Sequence, residues 1–159
     1  MNSDELCQKS MEFSNWLPFD KKRVMTAPRA EGTYVIRQAA KKSFGRLLGQ
    51  SDILYIGSTT SKNGLRQRLM QYFREEPQWT NRRINEFTKK YQMEVAWCLC
   101  RPPTNARTIE DILLSQYLSE HDELPPLNHN GIRQIPANDT VGLKSIGTAK
   151  VMPIKGKHT

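Results

Sequence analysis

Two runs dense in β-forming residues, GTYVIRQ (32–38) and ILYIGS (53–58), lie close together in the chain and predict an antiparallel strand pair. The segment between them, AAKKSFGRLLGQSD (39–52), is basic, punctuated by glycine and ends in a turn signal, so it reads as a long hairpin loop. A third run, MEVAWCLC (93–100), is continuously apolar over a strand's length. It predicts a central strand buried on both faces, stopped by Pro102 and Pro103. Helical periodicity fills the gaps. Leu65, Leu69, Tyr72 and Phe73 stripe one face of 64–76, and Ile84, Phe87 and Tyr91 stripe 80–91, which Thr80 or Asn81 can cap. Ile109, Ile112, Leu113, Leu114 and Tyr117 do the same for 105–120. The order β-β-α-α-β-α predicts an α+β fold, a small antiparallel sheet flanked by helices.

The chain has 159 residues and is 37% apolar, enough for one domain with a substantial core. Residues 1–30 carry a small apolar cluster of Phe13, Trp16, Leu17 and Phe19, read as a short helix and arm docked on the body at 31–130. Residues 131–159 hold glycine, lysine and proline with only short apolar runs, and read as a basic, loosely docked tail. No stretch of 18 apolar residues is present, which excludes a hydropathy-defined membrane helix. The polar, acidic start MNSDELCQKSMEF does not read as a signal peptide. Cys7, Cys98 and Cys100 are odd in number and only C-x-C in spacing, a poor zinc set; reduced structural thiols and a cytoplasmic setting are expected.

Charge is unevenly placed along a chain of formal net charge +8. Residues 31–93 hold twelve Lys/Arg against five acids, residues 94–125 hold two against six, and residues 126–159 return to five against one. A basic middle and tail around an acidic segment point to a phosphate-binding face with a few carboxylates close by. A plainly solvated surface would carry the same charges.

Five positions then fall into an ordered set. GTY (32–34) and YIG (55–57) sit on the two paired strands, an arginine follows the YIG turn in RLMQYF, a glutamate lies in ARTIEDILL, and an asparagine ends PLN. The set Tyr34, Tyr55, Arg68, Glu110 and Asn128 resembles the signature of the GIY-YIG nuclease superfamily and spans residues 32–128. The resemblance implies a three-stranded antiparallel sheet flanked by helices and divalent-metal-dependent cleavage of DNA, with Mg²⁺ or Mn²⁺ as cofactor. The first motif reads Gly-Thr-Tyr where the family has Gly-Ile-Tyr, and the loops before and after the YIG strand are longer than the compact family form. That added length leaves Arg66 as an alternative to Arg68 for the catalytic arginine. Arg68 precedes the Leu-x-x-Tyr-Phe run, as the family's arginine does.

The chemistry those residues allow is coherent. Phosphodiester hydrolysis needs a cation on the non-bridging oxygens, an activated water and charge relief on the leaving oxygen. A lone carboxylate, Glu110, suits Mg²⁺, which keeps most of its waters. Arg68 offers a planar fork to the scissile phosphate. Tyr34 and Tyr55 are placed to hold or deprotonate the attacking water, and the sequence leaves both roles open. Lys62, Arg66, Arg82 and Arg83 are candidate backbone contacts, and His129 is a candidate second base beside Asn128. Trp79 and Trp97 read as core residues. Taken singly, each position also has an ordinary structural reading, and a non-catalytic nucleic-acid-binding module is the alternative function.

Overall fold

The computed structural model describes residues 11–75, 78–100 and 104–129. Chain order is β1 (Leu17–Pro18), α1 (Lys21–Val24), β2 (Gly32–Gln38), β3 (Phe44–Gly45), β4 (Gln50–Ser51), β5 (Ile53–Thr59), α2 (Gly64–Met70), α3 (Trp79–Lys90), β6 (Met93–Leu99) and α4 (Ala106–His121). A tight 3₁₀ turn, Gln71–Phe73, continues α2, so the helix expected over 64–76 closes three residues early. The expected tail and Cys7 lie outside the described residues.

The sheet is antiparallel and has four strands, in the order β1-β6-β2-β5. The expected count of three is therefore corrected. β2, β5 and β6 make the long part, and the fourth strand is the two-residue β1, pairing Leu17 with Val95 and Pro18 with Glu94. Proline lacks a ladder N–H and so is tolerated on an outer strand such as this one. The segment at 39–52 is likewise more than a loop, since β3 and β4 form a small ribbon within it. The strand buried along nearly its whole length is β2; β6 alternates between buried and half-buried positions and ends on exposed Leu99.

Each face of the sheet carries its own core. One face packs Tyr34, Ile36, Leu54 and Val95 against Leu65, Leu69, Tyr72 and Ile84 from α2, its 3₁₀ turn and α3. The other packs Val35, Ile53 and Ile56 against Ile109, Leu113, Leu114 and Tyr117 of α4. Apolar side chains on both sides of one strand are what a two-faced sheet requires. A register shift opposite Ile36 and Arg37 pairs Ile36 with Tyr55 and Arg37 with Ile53, leaving Leu54 as the extra residue. This bulge places both Leu54 and Tyr55 against the α2–α3 core. Of the N-terminal arm, residues 1–10 lie outside the described residues; Phe19 is buried in the first core, while Phe13 and Trp16 pack on the second.

β5 is the sheet's edge, and the chain after α4 covers part of it. Leu127 N–H donates to Leu54 O at 3.2 Å. The Asn128 side chain then grips Ile56 at both ends, accepting from its N–H at 3.0 Å and donating to its C=O at 2.8 Å. A single amide thus substitutes for a neighbouring strand, satisfying backbone groups that an edge would otherwise leave open.

Candidate active site

Tyr34 projects from β2 and Tyr55 from β5 into the space beneath α2, with ring centroids 6.2 Å apart. Their approach depends on Gly57, which faces Tyr34 across the strand pair. A Cβ at Gly57 would stand 2.5 Å from the Tyr34 hydroxyl oxygen, and 2.6 Å from both Tyr34 Cζ and Tyr55 Cε1. The glycine of the YIG motif is therefore a clearance for the two tyrosines.

Arg68 enters this space from α2. Its Nε donates to the Tyr34 hydroxyl at 3.1 Å, and its Nη1 donates to Gln71 Oε1 at 2.9 Å and Asn81 Oδ1 at 3.5 Å. The guanidinium carbon also lies 5.1 Å from the centre of the Tyr72 ring, a cation–π distance. Tyr72 completes the cluster, because its hydroxyl and that of Tyr34 share a hydrogen bond of 2.5 Å.

The alternative arginine is elsewhere. Residues two apart on an α-helix diverge by about 200° around its axis, so Arg66 and Arg68 face nearly opposite ways. Arg66 Nε donates to Ala27 O at 2.9 Å, and the side chain lines an open groove with Arg29, Arg74, Met25 and Met70. Arg68 alone of the two meets the tyrosines.

Electrostatics separate the roles of the aromatic hydroxyls. Burial, reinforced by neighbouring Tyr55, pushes Tyr34 well above the ordinary phenol range, and Arg68 only partly offsets it. Tyr72 is raised in the same way, by burial first and the adjacent tyrosines second. Tyr34 is fully buried, and both hydroxyls are committed to partners. Tyr55 is half-buried and more accessible, though its hydroxyl also has Arg68 and Tyr72 as hydrogen-bond partners. Its pKa is also raised by burial; Arg68 pulls it down and Glu110 pushes it up, so the carboxylate lies within electrostatic reach. Burial works against the Arg68 charge, but the three phenolic oxygens around it prevail and hold its pKa above the usual value. The guanidinium stays charged at any working pH.

Glu110 comes from the other side of the sheet. Asn105 caps α4 by accepting from Thr108 N–H at 2.9 Å, and the helix then carries Glu110 to the end of β5, where its carboxylate accepts from the Ser58 hydroxyl. Among the described residues no group of three or more His, Cys, Asp or Glu is gathered to hold a metal. That donor set fits a hard ion taking one protein carboxylate and otherwise water, and does not fit zinc or a calcium cage. Cys98 and Cys100 are free thiols, and burial, with Cys98 beside it, pushes Cys100 up to about 11.

Of the five ordered residues, Tyr34, Tyr55 and Arg68 thus meet in one cluster, and Glu110 at the end of β5 lies within electrostatic reach of Tyr55. Asn128 spends its amide on Ile56, as a positioning residue for the strand that carries Tyr55. Lys62 and Arg82 are exposed, while Arg83 pairs with Glu86 at 2.6 Å. His129 is exposed and meets Trp79 edge-on, with centroids 4.2 Å apart. Trp97 packs against the first core as expected, but Trp79 does not: it is 42% exposed. Tyr72 and Ser58 are the participants that periodicity concealed, the first inside an apolar stripe and the second at the polar end of β5. Comparison of the chain with family models, curated proteins and solved structures gives no match, and the functional reading rests on this geometry.

Proposed function

We propose that this chain is a divalent-metal-dependent endonuclease of the GIY-YIG type that hydrolyses DNA phosphodiester bonds. The observation that carries the reading is the convergence of Tyr34, Tyr55 and Arg68 around the Gly57 clearance, with Glu110 within electrostatic reach of Tyr55. Apolar packing alone does not call for an arginine beneath three tyrosines. Mg²⁺ or Mn²⁺ held by Glu110 would supply charge neutralisation for the phosphate and leaving oxygen.

The chain's own residues divide the remaining work. Arg68 presents its charge to the scissile phosphate from a frame fixed by Tyr34, Gln71 and Asn81, so little reorganisation is needed as negative charge grows. Tyr34 and Tyr72 orient that guanidinium and keep their protons. Tyr55, the more accessible of the phenols, contacts the attacking water and, as the phenolate, takes its proton to become the neutral phenol. Ser58 fixes the rotamer of Glu110. A double-stranded DNA backbone lies against the basic residues flanking this edge, with Lys62 and Arg82 as exposed contacts.

Glu110→Ala should abolish metal-dependent nicking of supercoiled plasmid while leaving the thermal transition nearly unchanged. Cleavage retained by that variant would sink the metal role. Salt-sensitive DNA binding by the wild-type chain, with no cleavage under any divalent ion, would establish the alternative of a binding module.

A base with a pKa raised above the usual value near 10 is scarcely deprotonated at neutral pH. The cleavage rate should therefore climb with pH from neutral well into the alkaline range, about tenfold per unit while Tyr55 remains mostly protonated. A rate that does not change with pH across that range would remove Tyr55 from the role of base.

A further inference from the structure

Thr33, the middle residue of GTY, is a fully buried polar side chain on the face of β2 opposite to Tyr34. Its hydroxyl donates to the Ala106 carbonyl oxygen at 2.8 Å, joining residues 73 apart in the chain. Glu31, two residues earlier, accepts from the Ala106 N–H at 3.1 Å. Both backbone groups of the first residue of α4 are therefore held from the start of β2. The Cys100 thiol is also hydrogen-bonded to Thr33. A carbonyl can only accept, so the Thr33 proton goes to Ala106 and the thiol donates to the hydroxyl oxygen.

The Ala106 carbonyl has a second donor. In an α-helix each N–H donates to the carbonyl four residues back, so this oxygen also accepts from the Glu110 N–H. The Thr33 hydroxyl thus reaches the peptide group that carries the Glu110 backbone. Across the strand pair Thr33 faces Ser58, whose own hydroxyl donates to the Glu110 carboxylate. Directly opposed residues of an antiparallel pair share a face of the sheet. One cross-strand pair therefore holds Glu110 twice, at its backbone through Thr33 and at its carboxylate through Ser58.

We propose that Thr33 is a positioning residue for Glu110. It fixes the first turn of α4 against the sheet, so that the carboxylate is presented to a divalent ion at the end of β5. Valine matches threonine in outline but puts a methyl where the hydroxyl stands. A carbon keeps about 3.3–3.6 Å from a carbonyl oxygen, so the start of α4 would be pushed outward by about 0.5–0.8 Å. This assignment rests on the nuclease reading of Glu110 and adds to it the residue that aims the metal anchor.

Two measurements on the full chain test it. One is uptake of Mn²⁺ without DNA, read as loss of the free-ion EPR signal; the other is the Mg²⁺ concentration giving half-maximal plasmid nicking. Thr33→Val should weaken Mn²⁺ uptake and raise the half-maximal Mg²⁺ concentration by roughly tenfold, the order found for partners that orient a metal ligand. The rate at saturating Mg²⁺ should largely recover. Thr33→Ala, which adds no bulk against α4, should move both quantities in the same direction. Thr33→Ser keeps the hydroxyl and should stay close to wild type. Thr88→Val is the control for simple destabilisation: it removes a hydroxyl that donates to Asn85 O at 2.7 Å on α3, and metal uptake should not change. Wild-type metal affinity in either hydroxyl-free chain, or losses in Thr33→Ser equal to theirs, overturns the positioning role while the nuclease reading stands. A wild-type chain that takes up no Mn²⁺, or uptake that survives Glu110→Ala intact, removes the metal anchor and this assignment with it.

Discussion

Gly57→Ala should remove nearly all cleavage activity, by a hundredfold or more on the scale set by misplaced catalytic groups. The added methyl would overlap the Tyr34 hydroxyl and the rings of Tyr34 and Tyr55, none of which can simply swing away. Tyr34 is fully buried and bonded to both Arg68 and Tyr72, so relief must come from moving the cluster or separating β2 from β5. Overpacking of this sort costs about 1–3 kcal/mol, readable as a lowered Tm. Gly45→Ala is the matched control. It lies on the ribbon between β2 and β5, its added Cβ would meet nothing within 4 Å, and neither activity nor Tm should change appreciably. A Gly57→Ala chain that cleaves at the wild-type rate would show that the two tyrosines need not approach so closely.

Gly64 has a different requirement. Its φ is +61°, and a Cβ there would meet the backbone of Ala30. Leu65 and Arg66 donate their backbone N–H groups to Ala30 O and Pro28 O, so this contact fixes where α2 begins against the arm. The start of α2 in turn decides which way Arg66 and Arg68 point. Clearance at Gly57 and close approach at Gly64 together align the two halves of the strand–turn–helix.

How much of this was legible depended on whether a residue's role follows from local pattern. The strands at 32–38 and 53–58 announce themselves by β-branched and aromatic residues, and the structure places them almost as expected. β1 could not be read that way, since Leu17–Pro18 is too short for any period and acquires strand geometry only by lying against β6. The bulge at Leu54 is also non-local, because it exists only relative to Ile36 and Arg37. In the site, the order of tyrosines, arginine and glutamate was visible. Tyr72 was concealed because a tyrosine within an apolar stripe satisfies the core and the site at once: its ring is fully buried while its hydroxyl meets Tyr34. Trp79 was misassigned for the opposite reason. Composition marks an indole as core material, but at the first position of α3 this one is left 42% exposed. Periodicity reports which face of a helix is apolar, and not how far each end of it is covered.

The choice between the two arginines of α2 yields the other large effect. Arg68→Lys should lower kcat by two to four orders of magnitude, close to the loss in Arg68→Ala, whereas Arg66→Lys should stay within a few-fold of wild type. Lysine keeps the charge but offers one rotatable ammonium. Arg68 is held through Nε to Tyr34 and through Nη1 to Gln71 and Asn81, and those separate anchors fix the plane of its fork. A lysine at position 68 could satisfy one anchor or face the phosphate, and when it faces the phosphate it leaves the Tyr34–Tyr72 pair short of a donor. Because Tyr34 and Tyr72 are buried, that missing donor should also lower Tm, as expected when a buried polar group loses its partner. Arg66 holds a single backbone carbonyl on the far face of the helix, where a lysine ammonium can do the same. Full activity in Arg68→Lys, or a collapse of activity in Arg66→Lys with the fold intact, would move the phosphate contact to the far face and separate it from the tyrosines.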